Sequence, residues 1–200
     1  VYGGAGADTD AEVIKLAYTV LKKCGLSVKL YINSMGCPDC RKKYNEALKG
    51  YFADKLDKLC STCRERYNKN PLRILDCKEE GCKALCKDAP KTIDYLCDDC
   101  SAHFKKLQEL LTDCGVAYEI NPFIVRGLDY YTKTVFEFVT TALGSQGTVC
   151  GGGRYDNLIS QLGGTPTCGV GFGMGIERLL MLMEAENVII PERENVKLYI

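Results

Sequence analysis

Cysteine is the residue that most constrains what this chain can fold into, because thirteen of its 200 residues are cysteines. Nine of the thirteen lie between Cys37 and Cys100, several of them in Cys-x-x-Cys pairs. A disulfide scaffold explains such a number in a short secreted chain, but this chain is not short and an odd count cannot pair off internally. The distribution therefore favours a reduced, cytoplasmic protein whose cysteines bind metal.

The first two pairs have the spacing of a tetrathiolate zinc site. Two residues separate Cys37 from Cys40, nineteen follow, and two more separate Cys60 from Cys63. This spacing lets a tight turn or a helix end direct both sulfurs of a pair at one tetrahedral ion, and thiolates suit zinc better than any hard cation. Because four thiolates leave no open coordination position, the predicted metal is structural and not catalytic.

Further cysteines supply a second candidate site, for which the best-spaced four are Cys77, Cys82, Cys97 and Cys100. Spacing does not decide which cysteines share an ion, and an arrangement that joins Cys37 and Cys40 to Cys97 and Cys100 is an alternative. Free thiols that pack as small apolar groups and an iron–sulfur cluster are the other interpretations of the same residues. The single histidine, His103, is expected to be a solvated helix residue rather than a ligand.

The remaining composition excludes several classes of protein. Apolar residues make up 46% and charged residues 26%, which is a globular balance. The 26 basic and 26 acidic side chains cancel, so no global charge attracts nucleic acid. No apolar run approaches the roughly 18–20 residues of a membrane span, and no signal peptide precedes the first helix, so no membrane partner is predicted. Because the chain begins with Val1 and leads directly into patterned sequence, we expect it to be a piece of a longer protein.

A unit of helix, Cys-Gly and strand occurs twice in the sequence. The first helix has capping-box spacing at Thr9 and Glu12 and is expected to end at Cys24-Gly25, before an alternating strand. The second helix is expected to end at Cys114-Gly115, before another alternating stretch. The cysteine-rich segment lies between the two units, which predicts that residues 35–102 are a mostly helical insertion, with metal substituting for core that the segment lacks.

The last third of the chain is rich in strand formers and glycine. Strands are predicted at Thr134–Thr141, after Gly147 and at Cys168–Gly173, and helices at Tyr155–Leu162 and Ile176–Ala185. The second of these helices is expected to bury Ile176, Leu179, Leu180 and Met183. Helices around one largely antiparallel sheet predict an α+β fold. The predicted division is residues 1–34 and 103–190 for one domain, 35–102 for the insertion and 191–200 for a linker toward a further domain.

Three glycine- and arginine-rich segments indicate a ligand site. They are Arg126–Tyr131, Gly151–Asp156 and the alternating glycines from Gly169 to Gly175, which precede Arg178. Alternating glycines leave one face of a strand bare, so that a flat ligand can lie against backbone. An arginine one turn into the next helix could then hold a phosphate or stack on a base.

These three segments in this order resemble those of histidyl-tRNA synthetase, a family of class II aminoacyl-tRNA synthetases. The resemblance also covers Asp10–Ile14, Tyr31–Gly36 and two segments around Pro71 and Pro90, so it extends over nearly the whole chain. It implies a partial class II antiparallel sheet with flanking helices, and an insertion domain over the acceptor end of tRNA. It further implies formation of histidyl-adenylate from histidine and ATP, with magnesium, and transfer of the histidyl group to its tRNA by a homodimer.

The resemblance also assigns roles to individual residues. Arg126 matches the catalytic arginine beside the α-phosphate. Tyr130, Tyr131 and Tyr155, with Gly152 and Gly153, match the histidine pocket, where hydroxyl groups and ring faces can recognise an imidazole. ATP would be held by Arg126, Arg178, Gly171, Gly173 and Gly175. The cysteines match a metal-binding variety of the insertion, with the ligands Cys37, Cys40, Cys60, Cys63, Cys77, Cys82, Cys97 and Cys100.

Departures from the family pattern leave two rival functions. Motif 1, the arginine and glutamate of motif 2, and the anticodon-binding domain are not in the sequence, so the isolated chain is expected to be inactive. One rival is the regulatory paralogue that partners ATP phosphoribosyltransferase and senses histidine. The other is a zinc-stabilised nucleic-acid-binding module, in which Arg41, Lys42 and Lys43 would meet phosphates.

Overall fold

The computed structural model describes residues 1–124, 130–144 and 147–190, and within them it has an α+β fold, as predicted. The helices are α1 (Ala7–Lys23), α2 (Pro38–Phe52), α3 (Ser61–Lys69), α4 (Glu80–Cys86), α5 (Asp98–Asp113), α6 (Leu158–Gln161) and α7 (Ile176–Ala185). The strands are β1 (Lys29–Ser34), β2 (Glu119–Ile120), β3 (Thr132–Val139), β4 (Thr148–Arg154) and β5 (Val170–Met174).

The five strands form one mixed sheet in the order β2-β1-β3-β4-β5. The first two run parallel, and the other neighbours are antiparallel. In β4 and β5 the glycines face one another, since Gly151 pairs with Gly173 and Gly153 with Gly171. The antiparallel part of the sheet therefore carries the glycine-rich segments side by side.

The repeated helix–strand unit is confirmed. Helices α1 and α5 pack against each other, and the strands that follow them, β1 and β2, are parallel neighbours. Each helix is followed by a glycine with positive φ, 74° at Gly25 and 65° at Gly115. The next amide, of Leu26 or Val116, bonds back to the last turn of its helix, which is the arrangement that favours glycine at this position.

Two details of the first helix and one of α6 differ from the prediction. Helix α1 begins at Ala7 after Gly6, so Thr9 lies inside the first turn and does not cap the helix through its side chain. An acidic first turn, with Asp8 and Asp10, replaces the predicted capping box. The helix predicted at Tyr155–Leu162 is confined to Leu158–Gln161, because Tyr155 still pairs with Gly169 at the edge of the sheet.

The predicted buried face of α7 is partly wrong. Leu182 is fully buried, and Leu179 and Met183 pack against the core, but Ile176 and Leu180 are exposed. Apolar side chains lie all round this helix, so the helical period alone could not choose between its faces. In the described residues, the helix packs through the stripe that contains Leu182.

The segment between β1 and α5 is helical throughout its regular elements. It holds α2, α3 and α4, together with 3-10 turns at Ala53–Lys58, Pro71–Ile74 and Thr92–Tyr95. Helix α5 crosses the predicted boundary at residues 102/103, and the division of the chain into domains stays a prediction. In the part of the chain that is described, none of the helices has the length and apolarity that crossing a bilayer would require.

Candidate functional site

Three of the predicted histidine-binding residues meet in one cleft. The ring of Tyr130 lies 4.7 Å from that of Tyr131 and 6.1 Å from that of Tyr155, centroid to centroid. The cleft has a volume of about 340 Å³ and is also lined by Gly171 and Gly173. Tyr2, which the sequence analysis did not single out, contributes a fourth ring, 6.4 Å from that of Tyr155.

The glycines of β4 and β5 make room for these rings. A Cβ at Gly153 would collide with the carbonyl of Thr134 in β3 and would lie 2.9 Å from the ring of Tyr131, and one at Gly171 would lie 3.0 Å from the hydroxyl oxygen of Tyr155. A Cβ at Gly152 would collide with the backbone of β5, which explains its close strand packing. At Gly173, by contrast, a Cβ would meet no described atom within 4 Å. This glycine therefore leaves open space in the cleft beside bare backbone.

The two predicted arginines are placed differently. Arg126 lies outside the described residues, so its predicted position beside a phosphate stays a prediction. Arg178 lies in the first turn of α7, next to Gly175, and donates a hydrogen bond of 3.1 Å to the carbonyl of Thr148. It does not line the tyrosine cleft in the described residues. Its binding of nucleotide also stays a prediction.

The eight predicted metal ligands come together in two groups. Cys37, Cys40, Cys97 and Cys100 form one group, here called the neck quartet because it joins the two ends of the helical segment. Cys60, Cys63, Cys77 and Cys82 form the other, here called the inner quartet. The pairing of Cys37/Cys40 with Cys60/Cys63, which spacing favoured, is wrong, and the alternative with Cys97/Cys100 is the one the fold makes. Long-range folding, which sequence spacing does not encode, decides the partner of each pair.

Both quartets have the geometry of a tetrathiolate site. Within each quartet all sulfurs lie within 4.8 Å of one another, and an ideal tetrahedron with Zn–S bonds of about 2.3 Å needs about 3.8 Å. Two of the separations are 3.5 Å, between Cys37 and Cys40, and 3.9 Å, between Cys60 and Cys77. All thirteen cysteines lie in the described residues, and none forms a disulfide.

The Cys-x-x-Cys pairs owe their shape to helix starts. Cys37 is the N-cap residue of α2 and Cys97 that of α5, and their partners Cys40 and Cys100 lie in the first turns. Cys60 and Cys63 occupy the same positions in α3. An N-cap residue and the residue three positions later lie on one side of the helix start. The positive end of the helix dipole then favours thiolates at both positions.

The thiols in the neck quartet are not equivalent. Burial raises the pKa of Cys100. Burial also acts to raise the pKa of Cys37, but hydrogen bonds from the backbone amides of Cys40 and Asp39 and from the thiols of Cys40 and Cys97 lower it to about 7. One thiol is thus ready to ionise at neutral pH beside buried ones that a cation would ionise.

Comparison with known proteins decides the family. The histidyl-tRNA synthetase family model matches residues 1–179. The chain belongs to the histidyl-tRNA synthetase family. It is 56% identical over 196 residues to the histidine--tRNA ligase of Caldicellulosiruptor bescii, covering 98% of this chain and 46% of that protein. It is 54% identical to the corresponding ligase of Caldanaerobacter subterraneus, covering all of this chain and 48% of that protein.

Solved structures agree with this assignment. The apo histidyl-tRNA synthetase of S. aureus superposes with a TM-score of 0.75 at 35% identity, over 95% of this chain and 47% of that one. A structure from Bacillus halodurans described as an ATP phosphoribosyltransferase regulatory subunit/histidyl-tRNA synthetase gives 0.60 at 26% identity, over 91% and 51%. The chain spans about half the length of the relatives it matches.

Next to the tyrosine cleft of this synthetase chain lies a buried charged cluster that the sequence analysis missed. Arg154, which directly precedes Tyr155, is fully buried and donates hydrogen bonds of 3.0 and 2.6 Å to the carboxylate of Asp10. The other oxygen of that carboxylate lies 2.7 Å from Nε2 of His103 and accepts a 2.5 Å bond from Thr134. The cluster therefore ties α1, α5, β3 and β4 together.

The prediction that His103 is solvated is wrong. Its side chain is 8% exposed and paired with Asp10, so it is not a solvated helix residue. Spacing did contain the signal: His103 lies four residues before Leu107, and Asp10 lies four before Ile14, on the buried stripes of their helices. Burial acts to raise the pKa of Asp10, but the bonds from His103, Arg154 and Thr134 outweigh it and hold that pKa below its ordinary value.

Proposed function

We propose that this chain is the cleft-bearing part of a histidine--tRNA ligase, which forms histidyl-adenylate from histidine and ATP and transfers the histidyl group to its tRNA. The observation that carries the proposal is the tyrosine cleft, in which the three family tyrosines and two glycines meet. The ligase interpretation is also supported by identities of 54–56% to ligases, against 26% to the structure whose description includes a regulatory subunit.

The cleft binds histidine through its rings and hydroxyl groups. Tyr130, Tyr131 and Tyr155 line a small volume with aromatic rings that carry hydroxyl groups, which suits an imidazole that is both flat and hydrogen-bonding. ATP lies against the bare strand backbone at Gly171 and Gly173, while Arg178 holds the nucleotide from α7. Arg126 stabilises the charge that develops on the α-phosphate as the histidine carboxylate attacks. Magnesium, when bound with ATP, neutralises phosphate charge.

The helical segment meets tRNA. A groove of about 490 Å³ separates α2 from the cleft. Three cations, Arg41, Lys42 and Lys49, and one carboxylate, Glu46, line its α2 side, and Tyr130 lines the other. Cations beside the reacting end of a cleft suit the phosphates of an acceptor strand. In the homodimeric ligase this groove guides the terminal adenosine toward the histidyl-adenylate.

Zinc occupies both quartets and has a structural role. The thiolate donor set, the separations of the sulfurs and the absence of disulfides among the described cysteines all fit it. Four protein ligands leave no position for a water or substrate, so zinc supplies no step of the reaction.

Histidine-dependent ATP–pyrophosphate exchange by the full-length protein that contains this chain tests the function. Exchange that collapses in an Arg126→Ala variant is the expected result. The 200-residue chain alone is expected to show none, because motifs 1 and 2 are not in it. A well-folded full-length protein that binds histidine without exchange would instead be a histidine sensor and would overturn the ligase proposal.

A further inference from the structure

The two quartets draw their ligands from different parts of the chain. The inner quartet draws its ligands from α3, α4 and the turn between them, all within the helical segment. The neck quartet joins residues 57 apart in sequence, since the amide of Cys97 donates a 3.1 Å hydrogen bond to Sγ of Cys40. It therefore closes the segment where the chain leaves β1 and where it enters α5. The inner quartet connects parts of the helical segment to one another, and the neck quartet lies where the segment joins the sheet.

The neck quartet is bonded to the strand that carries the cleft tyrosines. Gly36, directly before Cys37, accepts a 2.8 Å hydrogen bond from the amide of Lys133, whose carbonyl accepts a 2.6 Å bond from Met35. Arg41, directly after Cys40, donates to the carbonyl of Tyr131. Residues on both sides of the first ligand pair thus hold the segment Tyr131–Lys133.

The held segment has little freedom to adopt another path. Lys133 has a φ of 45°, which is uncommon for a residue with a side chain, and the pairing of β3 with β4 shifts register at this point. Gly36 has a φ of 65°, and a Cβ there would lie 3.2 Å from Sγ of Cys40 and 3.1 Å from Leu96. Such backbone persists only where its surroundings over-determine it.

Apolar packing also connects the helical segment to the cleft wall. Tyr131 and Val135 belong to the buried cluster that contains Tyr44 of α2 and Cys63 and Cys82 of the inner quartet, and Tyr130 and Tyr155 pack against it. Helix α2 and the cleft wall therefore share one packed cluster, while the hydrogen bonds made by Gly36 and Arg41 tie the wall to the neck.

We propose that zinc in the neck quartet positions the Tyr130–Tyr131 wall of the histidine cleft through these hydrogen bonds, whereas zinc in the inner quartet, which shares an apolar cluster with the wall, mainly stabilises the helical segment. This assignment rests on the proposed function, because it takes histidine as the ligand of the cleft. The neck residues touch no substrate and act by positioning.

Cys100→Ser and Cys63→Ser form a matched pair for the test. Both residues lie at the third position of a helix, are at most 1% exposed and belong to different quartets. In the full-length protein, each variant is expected to hold one zinc in place of two by metal analysis. Calorimetric titration with histidine should give a dissociation constant raised at least about tenfold in Cys100→Ser and changed less than about twofold in Cys63→Ser.

Two further variants keep the test decisive if Cys100→Ser fails to fold. Cys97→His retains a zinc ligand at a half-exposed position and should keep both zinc ions and the parent affinity. Arg41→Ala removes the bond to Tyr131 and leaves all eight thiols, so it should keep two zinc ions and still weaken histidine binding. Full affinity in Arg41→Ala, or equal losses in Cys100→Ser and Cys63→Ser, would overturn the inference.

Failure of this inference and failure of the proposed function give different results. If the full-length protein performs histidine-dependent exchange, and loss of the neck zinc in Cys100→Ser leaves its affinity for histidine unchanged, the protein is a ligase but the neck zinc does not position the cleft. If the parent binds two zinc ions but neither binds histidine nor performs exchange, the proposed function fails.

Discussion

The sheet region, which comprises the five strands with α1, α5 and α7, and the helical segment between β1 and α5 build their buried cores differently. Helix α1 buries seven residues, most of them aliphatic, against α5 and the sheet. In the helical segment, α2 buries Tyr44, Leu48 and Phe52. Helix α3, in contrast, buries only Cys63, helix α4 buries only Cys82 and Cys86, and the 3-10 turn between α2 and α3 buries nothing. Where apolar burial is this sparse, metal–thiolate bonds can supply the missing stabilisation.

Polar groups in the two regions differ in the same sense. The sheet region buries a carboxylate and a guanidinium that satisfy each other, with Asp10 and Arg154 both fully buried. The helical segment instead brings together thiols that repel one another when ionised and that need an external cation. From this difference we expect the sheet region to keep its structure without metal and the helical segment to depend on a bound cation.

Removal of zinc by a chelator is expected to produce the largest difference between the two regions. Treating the zinc-loaded protein with a strong chelator under reducing conditions is expected to remove amide-exchange protection from α2, α3 and α4 and to leave it in α1, β3 and β4. Structural zinc contributes on the order of 10 kcal/mol or more to small metal domains. Hydrogen exchange with mass spectrometry measures this. Uniform loss of protection, or none, would contradict the comparison.

Removing the buried guanidinium should destabilise only the sheet region. Arg154→Met leaves the Asp10 carboxylate buried with His103 and Thr134 but without its cation. This should cost about 3–5 kcal/mol in the free energy of unfolding, measured by denaturant titration. Asp156→Asn is the matched control, because its side chain is 20% exposed and bonds the same guanidinium. We expect the control to lose about 1 kcal/mol or less and both variants to keep two zinc ions. A similar loss in both variants would refute the special role of Asp10.

Acid should unfold the two regions in sequence. Because the pKa of Asp10 is lower in the folded protein, its contribution is present above its unfolded pKa of about 3.9 and is lost as pH falls through the folded value. Protons displace zinc from thiolates at higher pH than this. Circular dichroism with metal analysis on stepwise acidification should show loss of zinc and helix first and loss of the sheet region below about pH 4. A single transition would show instead that the two regions unfold together.

The smallest effect is expected at Cys86, a buried cysteine of the helical segment that belongs to neither quartet. Cys86 donates a hydrogen bond to the carbonyl of Ile74, and burial raises the pKa of its thiol to about 11, so it stays protonated at neutral pH. Cys86→Ala should keep two zinc ions and lose about 1 kcal/mol of unfolding free energy. Loss of a zinc ion in this variant would show that Cys86 is a zinc ligand and not a protonated thiol packed in the core.

The sequence by itself determined the local elements and the chemical types of the site. The Cys-Gly helix ends, the strand alternation and the Cys-x-x-Cys pairs are short-range patterns, and the structure shows the first helix ending at Cys24-Gly25 and the pairs at helix starts. The tyrosines and glycines of the cleft likewise stand in contiguous motifs. Such features depend on residues within about one turn or one strand of each other, so they can be predicted locally.

Only the tertiary structure decided which distant residues meet. It joined Cys40 to Cys97 rather than to Cys63, turned Leu182 rather than Leu180 toward the core and buried His103 against Asp10. The first and third outcomes depend on how α5 is placed beside α1 and the sheet, and the second depends on how α7 packs against the core. Contacts between residues 57 and 93 positions apart are fixed by packing of whole elements, and no local spacing encodes that packing.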